Sequence, residues 1–225
     1  MISKKVSIPV QDNESVSGII SVPPAYRTGE GTGIIIAHGA NNDMESPLIV
    51  SFSKGLASVG YLTLRFNFLY REKGRKSPDS QKKLVLTWQS VYRFLKEDPT
   101  YRPDKIVAAG KSMGGRVASQ MVADGLLPVD SLIFLGYPLH APGKKDKIRD
   151  VHLYPIKIPM LFFAGTRDPL CDIQLLKNVL ARLGPASNLE TIDGGNHSFD
   201  LPKSKEKTQQ KVYDEIVKKT IDWLK

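Results

Sequence analysis

Cysteine is nearly missing from this sequence. The one thiol, Cys171, has no partner for an internal disulfide and cannot build a multi-thiolate metal site, which excludes a disulfide-stapled secreted scaffold and a zinc-finger module. Long apolar runs are missing too. No stretch approaches the roughly eighteen residues of a membrane-spanning helix, and Met1–Gln11 carries no apolar block behind its lysines. The expectation is a cytoplasmic protein with no membrane partner. Linkers rich in glycine, serine or proline, internal repeats and low-complexity segments are absent, and 41% of the 225 residues are apolar, so one domain spanning 1–225 with a sizeable core is expected.

Acidic residues are outnumbered, 23 against 32 lysines and arginines, which gives a net charge of +9 and a pI near 9.5. Such a balance favours polyanions or acidic small molecules through long-range attraction. The excess is concentrated in Arg71–Lys76, Lys144–Arg149 and Lys203–Lys207, short runs within stretches that read as solvated loops. No finger, RNP-type aromatic motif or heptad array accompanies them, so no nucleic-acid partner is expected.

What is present is a change of periodicity. Lys4–Val10 and Val16–Val22 alternate polar and apolar residues across a polar link, the pattern of an antiparallel hairpin. Gly33–Ala37, Leu62–Phe66, Ile106–Ala109, Leu132–Leu135 and Met160–Ala164 are short apolar runs, as in strands buried on both faces. Helical spacing fills the gaps, in Leu48–Val59, Leu84–Leu95, Leu176–Leu183 and Tyr213–Leu224. This alternation predicts an α/β fold, a mostly parallel, doubly wound sheet edged by the N-terminal antiparallel hairpin. Ligands of such sheets gather beyond the carboxyl ends of the strands, after Ala37, Phe66, Ala109, Leu135, Ala164 and Ile192.

One of those ends carries Gly110-Lys111-Ser112-Met113-Gly114, between a buried strand and a helix continuing through Val117, Ala118 and Met121. This is the G-x-S-x-G nucleophile elbow, a turn so tight that its serine is strained and exposed and its flanking positions must be glycine. A P-loop is excluded, because Lys105 stands where that motif needs its first glycine. A serine capping a helix is the simpler alternative for Ser112 alone. Its partners decide between the two: a serine hydroxyl needs an imidazole to take its proton, and the imidazole needs an acid to hold it. Asp168 closes the strand that begins at Leu161, and His197 stands in the loop before the last helix, in the chain order serine, acid, histidine. At the end of the first buried strand, His38-Gly39-Ala40-Asn41 supplies a turn whose Ala40 N–H would join that of Met113 in holding an oxyanion. His38 beside that strand is placed to brace the turn. No cofactor or metal enters this chemistry.

These motifs, with Gly136-Tyr137-Pro138-Leu139-His140, Pro142-Gly143-Lys144 and Gly165-Thr166-Arg167-Asp168-Pro169, resemble the α/β-hydrolase superfamily, in its dienelactone-hydrolase-like group. The resemblance extends to the branch containing the testis-expressed hydrolase-like protein and a histone acetyltransferase complex subunit. It implies a serine hydrolase with Ser112, Asp168 and His197 as triad, Asn41, Tyr70 and His140 lining the site, and a small ester or thioester as substrate. Dienelactone itself is disfavoured, since enzymes acting on it carry cysteine where Ser112 stands. The alternative is the same fold retained as a protein-interaction scaffold. Arg71 and Arg75 could meet an acidic substrate group or belong to a solvated loop. Gly136–Pro159, broken by prolines and lacking a periodic apolar face, predicts a site without a helical lid.

Overall fold

A computed structural model of the protein describes residues 1–11, 13–184, 186–202 and 208–225, and its strands join in one eight-stranded sheet. In chain order these are β1 (Ile2–Pro9), β2 (Ser15–Val22), β3 (Thr32–Ala37), β4 (Leu62–Phe66), β5 (Lys105–Lys111), β6 (Ser131–Leu135), β7 (Met160–Gly165) and β8 (Ser187–Ile192). In space the order is β1-β2-β4-β3-β5-β6-β7-β8. The opening hairpin pairs Val6 with Gly18 and Ile8 with Val16, and β2 then lies antiparallel to β4. From β4 to β8 every pairing is parallel.

The contiguous apolar runs follow from burial on both faces. Alternate residues of β3 point opposite ways: Ile34 and Ile36 join the core under α1 (Pro47–Ser58) and α6 (Gln209–Leu224), while Ile35 and Ala37 join the core on the other face. That second core is closed by α3 (Gln81–Glu97), α4 (Met113–Ala123) and α5 (Ile173–Leu183). Trp88 of α3 is fully buried edge-on against Phe66 of β4, with ring centroids 5.2 Å apart. Each aromatic side chain buried in this way contributes roughly 1.5–3 kcal/mol.

β3 is flanked by β4 on one side and β5 on the other, so successive crossovers leave it in opposite directions. Ligands of open α/β sheets bind at such a switch point, and the His38 turn and the Ser112 elbow both lie at its carboxyl end, after β3 and β5. Between β6 and β7 the regular structure is a single 3₁₀ turn, Val151–Leu153, and Tyr137 and Leu139 are buried in the core, so no lid rises from this segment.

β8 ends at Ile192, as expected, and the Arg71–Lys76 loop differs from the expectation. β8 has no apolar run, because as an edge strand it buries few of its side chains fully. The Arg71–Lys76 loop begins inside a short helix, α2 (Leu69–Glu72), too brief to show a period. The Lys203–Lys207 run lies outside the described residues.

Candidate active site

Ser112 has φ 49° and ψ −112°, a conformation that costs an L-residue of order 1–3 kcal/mol and persists only where its surroundings enforce it. The enforcement is steric. A Cβ on Gly110 would fall 2.2 Å from the Gly115 nitrogen, one on Gly114 2.6 Å from the His38 carbonyl oxygen, and one on Gly115 2.7 Å from the Gly110 carbonyl oxygen. Gly110 and Gly115 therefore let α4 fold back onto β5, while Gly114 lets it lie against the end of β3. Ser112 N–H donates to Leu135 O at 3.3 Å, which ties the elbow to β6.

The structure brings Ser112, Asp168 and His197 together. His197 Nδ1 lies 2.7 Å from Asp168 Oδ2, and His197 Nε2 lies 2.8 Å from Ser112 Oγ. A neutral imidazole whose Nδ1–H donates to the carboxylate leaves Nε2 free to accept the serine proton. The Asp168 side chain is wholly buried, and its second oxygen accepts the Leu170 N–H at 2.7 Å, so both oxygens are occupied. The loop carrying His197 is knotted on Asn196, whose side-chain oxygen accepts the Ser198 and Asp200 N–H groups at 2.8 and 3.0 Å. Buried Phe199, at φ 65°, closes that turn.

The turn after β3 is set by a peptide plane. Fully buried His38 accepts the Phe68 N–H at Nε2, 3.2 Å away, so its Nδ1 carries the proton and donates to Gly39 O at 2.8 Å. The Tyr70 hydroxyl donates to the same oxygen at 3.3 Å. Because a trans peptide sets C=O and N–H in opposite directions, holding Gly39 O against these two rings turns the Ala40 N–H away from them. Among the described residues, neither that N–H nor the one of Met113, at the first position of α4, donates to a protein acceptor. A Cβ on Gly39 would stand 3.5 Å from Ser112 Cβ, which places the turn beside the serine.

Residues 30–225 match the α/β hydrolase domain family. The chain belongs to that family. Solved structures of similar fold include a dienelactone hydrolase from Anabaena variabilis, 20% identical over 99% of this chain and 96% of that one, with a TM-score of 0.74. The Pyrococcus furiosus esterase Pf2001 is 20% identical over 99% and 91% of the two chains, with a TM-score of 0.74. An α/β serine hydrolase without lid from Xanthomonas campestris is 20% identical over 88% and 86%, with a TM-score of 0.68.

The remaining expected residues of this α/β hydrolase separate. Asn41 is exposed at φ 59°, next to Ala40. Tyr70 is fully buried, and burial pushes its hydroxyl up to about 12. Its polar atom faces Gly39 from behind the turn, so the expected contact with substrate becomes a brace. His140 is 1% exposed with both ring nitrogens engaged, Nδ1 donating to Ala141 O and Nε2 accepting the Asp172 N–H, each at 3.0 Å. It supports the acid loop and lines, with Asp168 and Cys171, a cavity of about 350 Å³. Cys171 is buried, and burial pushes its thiol up to about 12, which keeps it protonated and unreactive. Arg71 pairs with Asp43 at 3.2 Å and Arg75 with Asp79, so both sit in a locally neutralised loop.

Two features escaped the sequence reading. Gly165 locks the acid strand to the histidine loop: Thr166 N–H donates to Ile192 O at 3.1 Å and Arg167 N–H to Gly195 O at 2.9 Å. Lys111, inside the elbow motif, is only 7% exposed, and its Nζ is buried without a hydrogen-bond acceptor. A charged residue closing an otherwise apolar strand was the available signal. Among the described residues no helix is long and apolar enough to cross a membrane, and no group of three His, Cys, Asp or Glu side chains is placed to hold a metal ion.

Proposed function

We propose that the whole chain works as one domain, a serine hydrolase that cleaves a small carboxylic ester or thioester through an acyl-enzyme. The observation that carries this reading is the unbroken chain from Asp168 through His197 to Ser112, at 2.7 and 2.8 Å. Ser112 Oγ attacks the acyl carbon as His197 Nε2 takes its proton, and Asp168 stabilises the imidazolium that forms. The N–H groups of Ala40 and Met113 hold the oxyanion. The tetrahedral intermediate collapses when the imidazolium protonates the departing alkoxide or thiolate. Water, deprotonated by the same His197, then attacks the acyl-serine, and a second collapse returns the proton to Ser112. Losing one oxyanion donor costs on the order of a hundredfold or more in rate.

The interaction-scaffold reading gives no reason to keep Ser112 strained, with the histidine and acid in register behind it. The same proposal includes membership of the branch with the testis-expressed hydrolase-like protein and the histone acetyltransferase complex subunit and a cytoplasmic setting, and it leaves Asn41 as a residue facing substrate. Labelling with a fluorophosphonate probe tests the mechanism. Wild-type protein takes the probe on Ser112. Ser112→Ala takes none and hydrolyses no activated ester while keeping its fold. Undiminished esterase activity in Ser112→Ala refutes the assignment.

A further inference from the structure

Lys111 is not part of the hydrogen-bonded chain of the proposed mechanism, yet its head group ends beside it. Its stem runs past Gly39, where a Cβ would meet Lys111 Cγ at 3.3 Å, and its ammonium reaches Gly136 at the end of β6. A Cβ on Gly136 would lie 3.2 Å from Lys111 Nζ, 3.6 Å from His197 Cε1 and 3.0 Å from His197 O. Two atoms that close to one point are within about 7 Å of each other, so the ammonium lies near the imidazole ring. Gly39 and Gly136, from the strand ends on either side of β5, leave the space in which the lysine lies.

A buried ammonium without a hydrogen bond is costly, and it has no exposed surface with which to meet a substrate. Whatever it contributes must pass through its neighbours. The charged groups facing it are Asp168, at the end of β7, and Asp200, beyond His197. The β3 end offers only His38, which burial brings down to about 4 and so keeps neutral.

We propose that Lys111 is a positioning residue for the general base: its buried positive charge opposes protonation of His197 and so keeps the imidazole competent at lower pH. The inference rests on the serine-hydrolase reading. A second cation beside the same carboxylate disfavours imidazolium by Coulomb repulsion. Burial also brings Lys111 itself down to about 8, so the cation is present through neutrality and fades above it.

The test is the pH profile of fluorophosphonate labelling in wild type, Lys111→Met and Lys111→Arg. Lys111→Met keeps the length of the stem and loses the charge, and its acid limb is expected to move upward by roughly one unit. Its rate at about pH 5.5, relative to about pH 8.5, then falls roughly five- to tenfold further than in wild type. Lys111→Arg, which keeps the charge, holds the wild-type limb. A packing role alone would lower the rate equally at every pH, so an unmoved or downward limb in Lys111→Met overturns the proposal. A measurement on wild type covers variants that fail to fold. The NMR signal of His197 Cε1–H should shift a second time as the Lys111 Cε signal reports loss of the lysine proton, and a single-step curve overturns the proposal. Wild type that takes no probe at any pH refutes the hydrolase reading, and the NMR titration still decides whether lysine and histidine are coupled.

Discussion

A Cβ at Gly165 would fall 2.2 Å from the Gly195 carbonyl oxygen and 2.6 Å from that of Asn196. The end of the acid strand and the start of the histidine loop are thus in backbone contact, with no side chain between them. Both atoms it would strike belong to backbone and neither can swing aside. Gly165→Ala should therefore push the His197 loop away from Asp168. A misplacement near 1 Å at a catalytic group costs about a hundredfold, and overpacking of this kind costs roughly 1–3 kcal/mol of stability. The expected outcome is a large loss of kcat/KM with a smaller loss in urea midpoint. A variant with wild-type kcat/KM would show that the loop tolerates the shift.

The elements legible in the sequence are those whose cause is local. Ile34-Ile35-Ile36-Ala37 reads as a strand because both faces are covered, and Ser112 reads as an elbow because Gly110 and Gly114 mark the turn. The α/β fold with its N-terminal hairpin and without a lid followed from such runs. What stayed hidden depends on distant partners. β8 is marked only by its end at Ile192, because an edge strand has little to bury and so shows no apolar run. Tyr70 has the residue type of a pocket lining, but its hydroxyl turns to the Gly39 carbonyl, a choice made by the packing around it, while His140 lines the cavity beside Asp168 with both ring nitrogens held by backbone. The course of Lys111 between Gly39 and Gly136 depends on strands that adjoin β5 only in the folded sheet.

His38 makes stability depend on acid pH. Burial lowers it to about 4, against 6.5 for a free imidazole, while both ring nitrogens are engaged in the neutral form. Between about 6.5 and about 4 the unfolded chain binds a proton that the native state refuses, so stability falls as pH drops through that window, by up to about 1.4 kcal/mol per unit. His38→Gln should flatten the slope of unfolding free energy against pH by close to one proton, whatever its own cost at neutral pH. Urea denaturation at several pH values reads this slope. Identical slopes in variant and wild type would place the acid sensitivity elsewhere.

Lys111 acts at the other end of the pH scale. Its native value is lowered to about 8 from 10.5, so at neutral pH the fold carries the full cost of a buried charge. Above about 8 the native state releases the proton while the unfolded chain keeps it, and the deficit shrinks until both are neutral beyond 10.5. Lys111→Met should therefore melt higher than wild type at pH 7, by several degrees, with the gap closing towards pH 10.5. Melting curves at neutral and alkaline pH test this. A lower Tm for Lys111→Met at neutral pH would mean that the ammonium is better solvated than its burial implies.

The remaining prediction concerns substrate choice. Without a lid over Ser112, a long acyl chain finds little apolar surface, and each methylene left in water forgoes roughly 0.8 kcal/mol. kcat/KM should be greatest for acetyl to butyryl esters and should not rise towards dodecanoyl. Charge is the second determinant, weakened by what the loops already hold: Arg71 and Arg75 are paired, and Lys145 bonds Asp172 at 2.6 Å. Attraction for an acidic substrate then depends on Lys144, Lys147 and Arg167, exposed residues of the loops after β6 and β7. Exposed charges act over about 10 Å at 0.1 M salt and less at higher ionic strength. A succinyl ester should therefore be preferred over a butyryl ester of matched leaving group by a few-fold at low salt, and equally used at high salt. Measuring both esters across a salt series, in wild type and in Arg167→Gln, separates this attraction from shape. A preference for dodecanoyl would reveal an apolar acyl pocket, and a succinyl preference that survives high salt would require a buried cationic contact in place of the exposed loops.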